Sequence, residues 1–160
     1  MGTAPFHIVL LTPEIPNNTG TIGRTAAATG CVLHLIHPLG FDLTEKARRR
    51  AGLDYWDLIE CREHASWEAF LEAEAPKRLW AMTVHAQSLL WDASLQEGDY
   101  LLFGCESAGL PESVQEDVQN RWGAASRRRL PVEVPARSLN LACAVTAVVY
   151  EGLRQASKGA

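Results

Sequence analysis

Short apolar runs alternate along this chain with stretches in which apolar residues recur every three or four positions. Four of the runs have the length and composition of buried strands, at residues 7–12, 31–36, 79–84 and 100–104. Helical periodicity with start and stop signals predicts helices at residues 21–29, 66–75, 112–118 and 142–155. Strands that alternate with helices predict an α/β fold built on a largely parallel sheet.

Weaker patterns predict three short elements. Residues 44–50 have helical composition, and Thr44 stands where an N-cap is expected. Residues 58–61 and 129–132 have the composition of short strands, and the second lies just before the last helix.

Length and composition restrict the class of protein. The 160 residues fit a single domain over residues 1–160 with a full core. Apolar residues make up 47% of the chain and charged residues 21%, which is typical of a soluble globular protein. Because no apolar run could span a membrane and the N-terminus has no signal-peptide pattern, a cytoplasmic location and no membrane partner are expected.

The cysteines give no reason to expect a metal. No two of them form a C-x-x-C pair, so a zinc site is not predicted. Cys31, Cys105 and Cys143 lie in or beside apolar runs, and the sequence predicts them to be small core residues.

The basic residues are clustered on a chain whose net charge is −4. An acidic chain argues mildly against nucleic acid, since phosphate binding needs local positive charge. Two arginine runs argue the other way: Arg48, Arg49 and Arg50, and Arg127, Arg128 and Arg129. Each run is either a solvated surface or a set of phosphate contacts.

Three loops have residues suited to ligand binding. In the first, Asn18 or Thr19 is predicted to cap the following helix and to create an anion site at its N-terminus. Arg24 lies one turn further on, where the helix dipole does not favour a cation, so it is either solvated or paired with a phosphate or carboxylate.

The other two loops follow predicted strands. Gly104 and Gly109 allow a tight backbone turn around Glu106, at the strand edge where α/β sheets bind ligands. Further on, prolines bound a loop in which Arg137 precedes Ser138 and Asn140 at a helix start. Capping explains Ser138 and could explain Asn140, but it does not explain Arg137.

Taken in order, the three loops resemble the motifs of the SpoU branch of the SPOUT RNA methyltransferases. The motifs are P-E-I-P-N-N-T-G…R at residues 13–24, F-G-x-E-x-x-G-L-P at 103–111, and R-S-L-N-L at 137–141 with Tyr150-Glu151. The similarity is closest to the small, single-domain TrmL-like group and covers nearly the whole chain. It implies an α/β domain whose C-terminal segment forms a deep trefoil knot, a homodimer with its site near the subunit interface, and S-adenosylmethionine as methyl donor.

The resemblance also assigns roles by matching positions. Arg24 and Asn18 correspond to the residues linked to catalysis. The cofactor pocket would be formed by Met82, Gly104, Glu106, Gly109, Leu130, Ser138, Leu139 and Asn140. RNA contacts would come from the two arginine runs with Arg137 and Tyr150, although Arg137 could face either the RNA or the partner subunit. No metal is implied.

The group methylates the ribose 2′-hydroxyl of the wobble cytidine or uridine in leucine tRNAs, in the anticodon stem-loop. This chain departs from it where Cys105 replaces a usual proline, Ala108 a basic residue, and Val84-His85-Ala86 a Thr-Lys-Gly. Two alternatives therefore stay open: a methyltransferase of the same family acting on another RNA, and an RNA-binding protein without methyl transfer.

Overall fold

The computed structural model describes residues 2–50, 55–133, 135–136 and 138–158, without the side chains of residues 45, 49, 50 and 158. Its strands are β1 (His7–Leu11), β2 (Val32–Ile36), β3 (Cys61–His64), β4 (Leu79–Met82), β5 (Tyr100–Phe103) and β6 (Arg127–Arg128). Its helices are α1 (Pro16–Thr29), α2 (Glu45–Arg50), α3 (Trp67–Glu74), α4 (Glu112–Trp122) and α5 (Leu141–Lys158).

The six strands form one sheet in the order β3-β2-β1-β5-β4-β6. Every pairing between neighbouring strands is parallel, which confirms the α/β prediction. β1 pairs with β2 on one side and with β5 on the other, so the strand order changes direction beside β1. In open α/β sheets such a switch point is where ligands bind, at the carboxyl ends of the strands.

Helices cover both faces of the sheet because the side chains of a strand alternate between its faces. Ile8 and Leu10 of β1 belong to a core with residues of α1 and α5. Val9 and Leu11 belong to a second core with residues of α3 and α4. Among the described residues, no helix is long and apolar enough to cross a membrane.

The first helix begins five residues earlier than predicted. Pro16 is the first residue of the helix, and Ile15 occupies the N-cap position without a side-chain hydrogen bond. Asn18 and Thr19 lie inside the helix, so neither of them caps it. Proline suits this place because its ring fixes a helical φ and the missing N–H would have no partner there. Gly23, which lowers intrinsic helix propensity, is needed inside the helix: a Cβ there would lie 2.8 Å from the Trp56 ring.

Two short strands also differ from prediction. Residues 56–58 form a 3₁₀ helix, and the third strand begins at Cys61. The sixth strand is Arg127–Arg128 instead of residues 129–132. An arginine can occupy it because the Arg128 guanidinium lies over the Trp80 ring, 5.5 Å from its centre, and donates to two backbone carbonyls.

Of the three cysteines predicted in the core, only Cys31 is buried. Cys105 is half-buried and Cys143 is exposed. Cys143 lies on the outer face of α5, since the buried face of this helix contains its neighbour Ala142. The predicted N-cap at Thr44 is confirmed, since its hydroxyl accepts a hydrogen bond from the Ala47 N–H at 3.3 Å.

Three histidines lie side by side on the face of the sheet that α3 covers. His7, His34 and His64 lie on adjacent strands, with ring nitrogens 2.9 Å apart between the first two and 3.0 Å apart between the last two. Burial, with the positive charge that His7, His64 and Arg62 would add, lowers the pKa of His34 to about 3. His34 is therefore neutral near pH 7, and protonating it in the fold is costly.

We expect this histidine to make the fold sensitive to acid. The unfolded His34 titrates near 6.5 and the folded one near 3, so its contribution is complete above pH 6.5 and is lost as the pH falls toward 3. At pH 5 the loss from this residue alone is about 2 kcal/mol. Glu74 and Arg62 also face His34, and the pKa values of His7 and His64 are lowered as well, so these two histidines add to the loss of stability in acid.

Urea unfolding at pH 7 and pH 5, with a chelator present, measures this loss. His34→Gln should lower stability at pH 7 but reduce the drop between the two pH values. His37→Gln changes an exposed histidine and serves as the control. An unchanged drop in His34→Gln would contradict the assignment.

Candidate active site

The loops that follow β1 and β5 are joined at the carboxyl edge of the sheet by one carboxylate. Glu106, after β5, accepts hydrogen bonds from the backbone N–H groups of Glu14 at 2.8 Å and Ile15 at 3.1 Å. These N–H groups immediately precede α1, so the carboxylate also lies at the positive end of that helix. Glu106 thus holds the two loops together and caps the helix that neither Asn18 nor Thr19 caps.

The same two loops are joined a second time in the opposite direction. The Glu14 carboxylate accepts hydrogen bonds from the Ser107 hydroxyl at 2.6 Å and the Ser107 N–H at 3.3 Å. Hydrogen bonds from the side chains of Cys105 and Ser107 lower the pKa of Glu14, so its carboxylate stays ionised. Each loop therefore contributes a glutamate that binds the other loop, and the two glutamates hold the loops together.

Asn18 connects this pair of loops to the C-terminal helix. Its amide nitrogen lies 3.4 Å from Glu106, and its amide oxygen accepts from the Asn140 amide at 3.0 Å. The Asn140 oxygen accepts from the Cys143 N–H, so Asn140 is the residue that caps α5. Three loops distant in the sequence therefore meet through the chain Glu106, Asn18 and Asn140.

The turn after β5 requires glycine at Gly104. The Gly109 N–H donates to the Cys105 carbonyl at 3.0 Å, and Gly109 has a positive φ of 67°. This folds the loop so tightly that a Cβ on Gly104 would lie 2.1 Å from the Gly109 carbonyl carbon. No side chain fits in that space.

The three loops enclose a cavity of about 560 Å³, within the range of roughly 300–1,000 Å³ typical of small-molecule sites. All eight cofactor residues that the resemblance implied lie in its wall: Met82, Gly104, Glu106, Gly109, Leu130, Ser138, Leu139 and Asn140. The wall also contains residues that the sequence did not single out for the cofactor: Ile15, Thr83, Ser107, Val132 and Leu141. Glu14 and Ser107 could have been suspected only from their neighbours in the first two motifs.

The cavity suits S-adenosylmethionine in size and in chemistry. Met82, Leu130 and Leu141 form an apolar wall suited to a flat base. Glu106 adds a negative charge and Asn140 adds an amide group. The backbone beside Gly104 has no side chain, so a flat group can approach it closely.

Arg24 is not at the cavity. It is exposed on α1, six residues after Asn18 and therefore about 9 Å further along the helix. Its guanidinium lies over the Tyr55 ring, 5.7 Å from the ring centre, and the Tyr55 hydroxyl donates to the Gly20 carbonyl. Of the two residues linked to catalysis, only Asn18 is in the cavity wall of the same chain.

The arginine run at 127–129 divides into three environments. Arg128 is buried and bonds to backbone carbonyls, so it serves the fold and is not available for an RNA backbone contact. Arg127 is half-buried beside the Gln115 amide, and Arg129 lines the cavity.

The remaining residues assigned to RNA lie on other parts of the chain. Arg48 is 3.9 Å from Asp57. Tyr150 is 52% exposed on α5. Arg137 and the side chains of Arg49 and Arg50 lie outside the described residues.

The parallel sheet and the cavity at its switch point define an α/β protein, and this is the place where α/β proteins bind small ligands. Residues 5–150 match the model of the SpoU rRNA Methylase family, and the chain belongs to that family of methyltransferases. The homology therefore supports the sequence-based identification and makes the cavity the candidate methyl-donor site.

Individual relatives agree with this membership. The chain is 47% identical over 150 residues to a tRNA (cytidine(34)-2′-O)-methyltransferase of Saccharophagus degradans, covering 94% of this chain and 95% of the relative. A structure described as giving insights into the 2-OH methylation of C/U34 on tRNA is 47% identical, with a TM-score of 0.82 and 97% of both chains covered. An AdoMet-bound rRNA methyltransferase from Sinorhizobium meliloti is 27% identical, with a TM-score of 0.79, covering 96% of this chain and 57% of the other.

Gly104→Ala should weaken binding in the cavity. The added Cβ would force Gly109 away and open the turn, so we expect the affinity for S-adenosylmethionine to fall at least roughly tenfold, a loss of about 1.4 kcal/mol. Isothermal titration of the purified protein measures this. Gly98→Ala is the control: unlike Gly104, Gly98 has a positive φ, but it lies outside the cavity and has no atom within 4 Å of an added Cβ. Equal affinity in the two variants would contradict the proposed role of the tight turn at Gly104.

Proposed function

We propose that this protein uses S-adenosylmethionine to methylate the ribose 2′-hydroxyl of the wobble cytidine or uridine of tRNA, at position 34. The observation that carries this proposal is the cavity, in which Glu106, Asn18 and Asn140 connect the three motif loops. Two relatives at 47% identity are described by methylation at this nucleotide. Leucine tRNAs as the substrates are the narrowest part of the proposal and rest on the resemblance alone.

The exposed faces of α1 and α5 support a homodimer. The helices pack together, with the hydroxyls of Thr25 and Thr146 2.8 Å apart. Their outer surface contains mostly small or uncharged exposed residues: Asn17, Thr21, Ala28, Cys143, Ala147 and Tyr150. A surface poor in charge fits a subunit interface better than a solvated one.

Arg24 lies within this outer surface, between Thr21 and Ala28. A dimer formed by the α1–α5 surface would place Arg24 beside the second subunit, in agreement with a site near the interface. This explains why an arginine linked to catalysis is absent from the cavity wall of its own chain. The trefoil knot and the single domain over residues 1–160 complete the proposed architecture and are supported by the family.

The reaction is a displacement in which a ribose oxygen takes a methyl group. When bound, S-adenosylmethionine supplies that group as an electrophile on sulfonium. Arg24 is not a base, because a guanidinium keeps its protons at every working pH. It binds the substrate phosphate and stabilises negative charge that develops on the 2′-oxygen, while a phosphate oxygen or water accepts the proton.

Arg24→Ala should lower turnover far more than cofactor binding. Losing a donor to the developing oxyanion costs about 100-fold or more in kcat. Because Arg24 is outside the cavity wall, the dissociation constant for S-adenosylmethionine should change little. Methyl transfer to a tRNA transcript and cofactor titration test the two parts. Arg121→Ala on α4 is the control, and near-normal turnover in Arg24→Ala would refute the role.

Arg129 is the residue of its run best placed to meet RNA at the cavity. Arg129→Gln should weaken tRNA binding, and the slope of log affinity against log salt should fall by about 0.7–0.9. Arg121→Gln, in which an exposed arginine paired with Asp117 is changed, should leave the slope unaltered. Equal slopes in all three proteins would remove Arg129 from the RNA surface.

Nucleoside mass spectrometry decides between the proposed substrate and another RNA. Total tRNA and rRNA from a strain lacking the gene should lose 2′-O-methylation at tRNA position 34 and nowhere else. Loss of a ribosomal methyl group instead would favour the alternative, and no loss together with no S-adenosylmethionine binding would favour an RNA-binding protein.

A further inference from the structure

Three side chains converge on one point below α3, away from the cavity. His34 lies within β2, His64 is the last residue of β3, and Glu74 is the last residue of α3. His34 Nδ1 and His64 Nε2 are 3.0 Å apart, and each lies 3.8 Å from Glu74 Oε1. None of the three residues lines the cavity.

The distances between these atoms match a metal site. A point equidistant from all three lies about 2.1 Å from each, which is the usual length of Zn–N and Zn–O bonds. Tetrahedral coordination at such bond lengths separates ligands by about 3.4 Å, so the imidazole nitrogens would move apart and Glu74 Oε1 would move closer to them, each by a few tenths of an ångström. Two histidines and one glutamate leave the fourth position of a tetrahedral ion to water.

The outer partners hold each ligand in place. Glu74 Oε2 accepts from the Arg62 guanidinium at 2.8 Å and the Tyr100 hydroxyl at 3.2 Å, which directs Oε1 toward the imidazoles. His34 Nε2 lies 2.9 Å from His7 Nδ1 and can donate to it, leaving His34 Nδ1 free to ligate. Carboxylates and hydrogen bonds behind the ligands are a regular feature of metal sites.

Hydrogen bonding between imidazoles accounts for only part of this arrangement. Neutral His7, His34 and His64 can satisfy one another in a row. Glu74 Oε1 is then left 3.8 Å from both nearest nitrogens, and within the described part of the chain it receives no hydrogen bond. The Glu74 side chain is 9% exposed and Oε1 is not among the fully enclosed polar atoms without a partner, so this oxygen is open to water or to an ion.

We propose that His34, His64 and Glu74 form a binding site for a divalent transition metal, with Zn²⁺ as the ion that fits the ligands and spacing. The site ties β2, β3 and α3 together at one edge of the sheet. Its role is structural, because it lies among Phe70 and Tyr100 in the core and not at the cavity. This site is independent of the proposed methyl transfer.

Untagged full-length protein, freed of metal with a chelator, tests the site by titration with Zn²⁺ and by absorption with Co²⁺. We expect one equivalent per chain, visible Co²⁺ bands of four-coordinate nitrogen–oxygen ligation, and a higher unfolding temperature with Zn²⁺. Glu74→Gln should weaken binding at least tenfold. Glu72→Gln, on the exposed side of α3, should bind like the wild type.

The wild type alone can overturn the proposal, so it does not depend on whether Glu74→Gln folds. A wild-type protein that is folded by circular dichroism but takes up no Co²⁺ at tens of micromolar would refute the site. A thiolate-to-cobalt charge-transfer band would refute it too, since it would place the ion on a cysteine. Equal Zn²⁺ affinity in a folded Glu74→Gln variant and the wild type would also refute it.

Discussion

The site depends on one carboxylate at the start of a helix. Glu106 accepts two backbone N–H groups that precede α1, and these groups have no helical partner of their own. Because the glutamate comes from the loop after β5, satisfying the helix end also joins β1 and β5 at the switch point of the sheet. The cavity wall follows from this bond, since Asn18 lies in the first turn of the same helix and reaches Asn140 at the start of α5.

Glycines allow this arrangement where side chains would prevent it. Gly104 lets the backbone of the β5 loop fold back on Gly109, and Gly23 lets α1 pack against the Trp56 ring. Gly152 similarly lets α5 approach Phe6, since a Cβ there would lie 2.7 Å from the phenylalanine ring. Helix propensity argues against glycine at positions 23 and 152, so close packing outweighs it at both.

Polar groups in the core divide between those that serve the fold and those that serve the site. Asp99 is 1% exposed, and its carboxylate accepts from the side chains of Arg78 and Trp80. Arg128 is used in the same way at the edge strand. The histidines, Glu74 and Tyr100 form a separate group on the α3 side, where burial also raises the pKa of Tyr100 to about 12. Charge alone does not distinguish a ligand-binding arginine from a structural one; burial and hydrogen-bond partners do.

By itself the sequence predicted the fold class and the three motif loops, and its resemblance to a family assigned eight residues that the structure places in the wall of one cavity. The fold class follows from apolar runs of strand length and from glycine and proline at turns, and the eight assignments follow from the resemblance of motifs in a fixed order. Tertiary structure decided where α1 begins, which strand position Arg128 occupies, and that Arg24 lies outside the cavity of its own chain. It also decided that His34, His64 and Glu74 meet. Two neighbouring strands and the end of a helix bring these residues together, although His64 and Glu74 lie 30 and 40 positions after His34. A local sequence pattern covers far fewer residues and cannot predict such a contact.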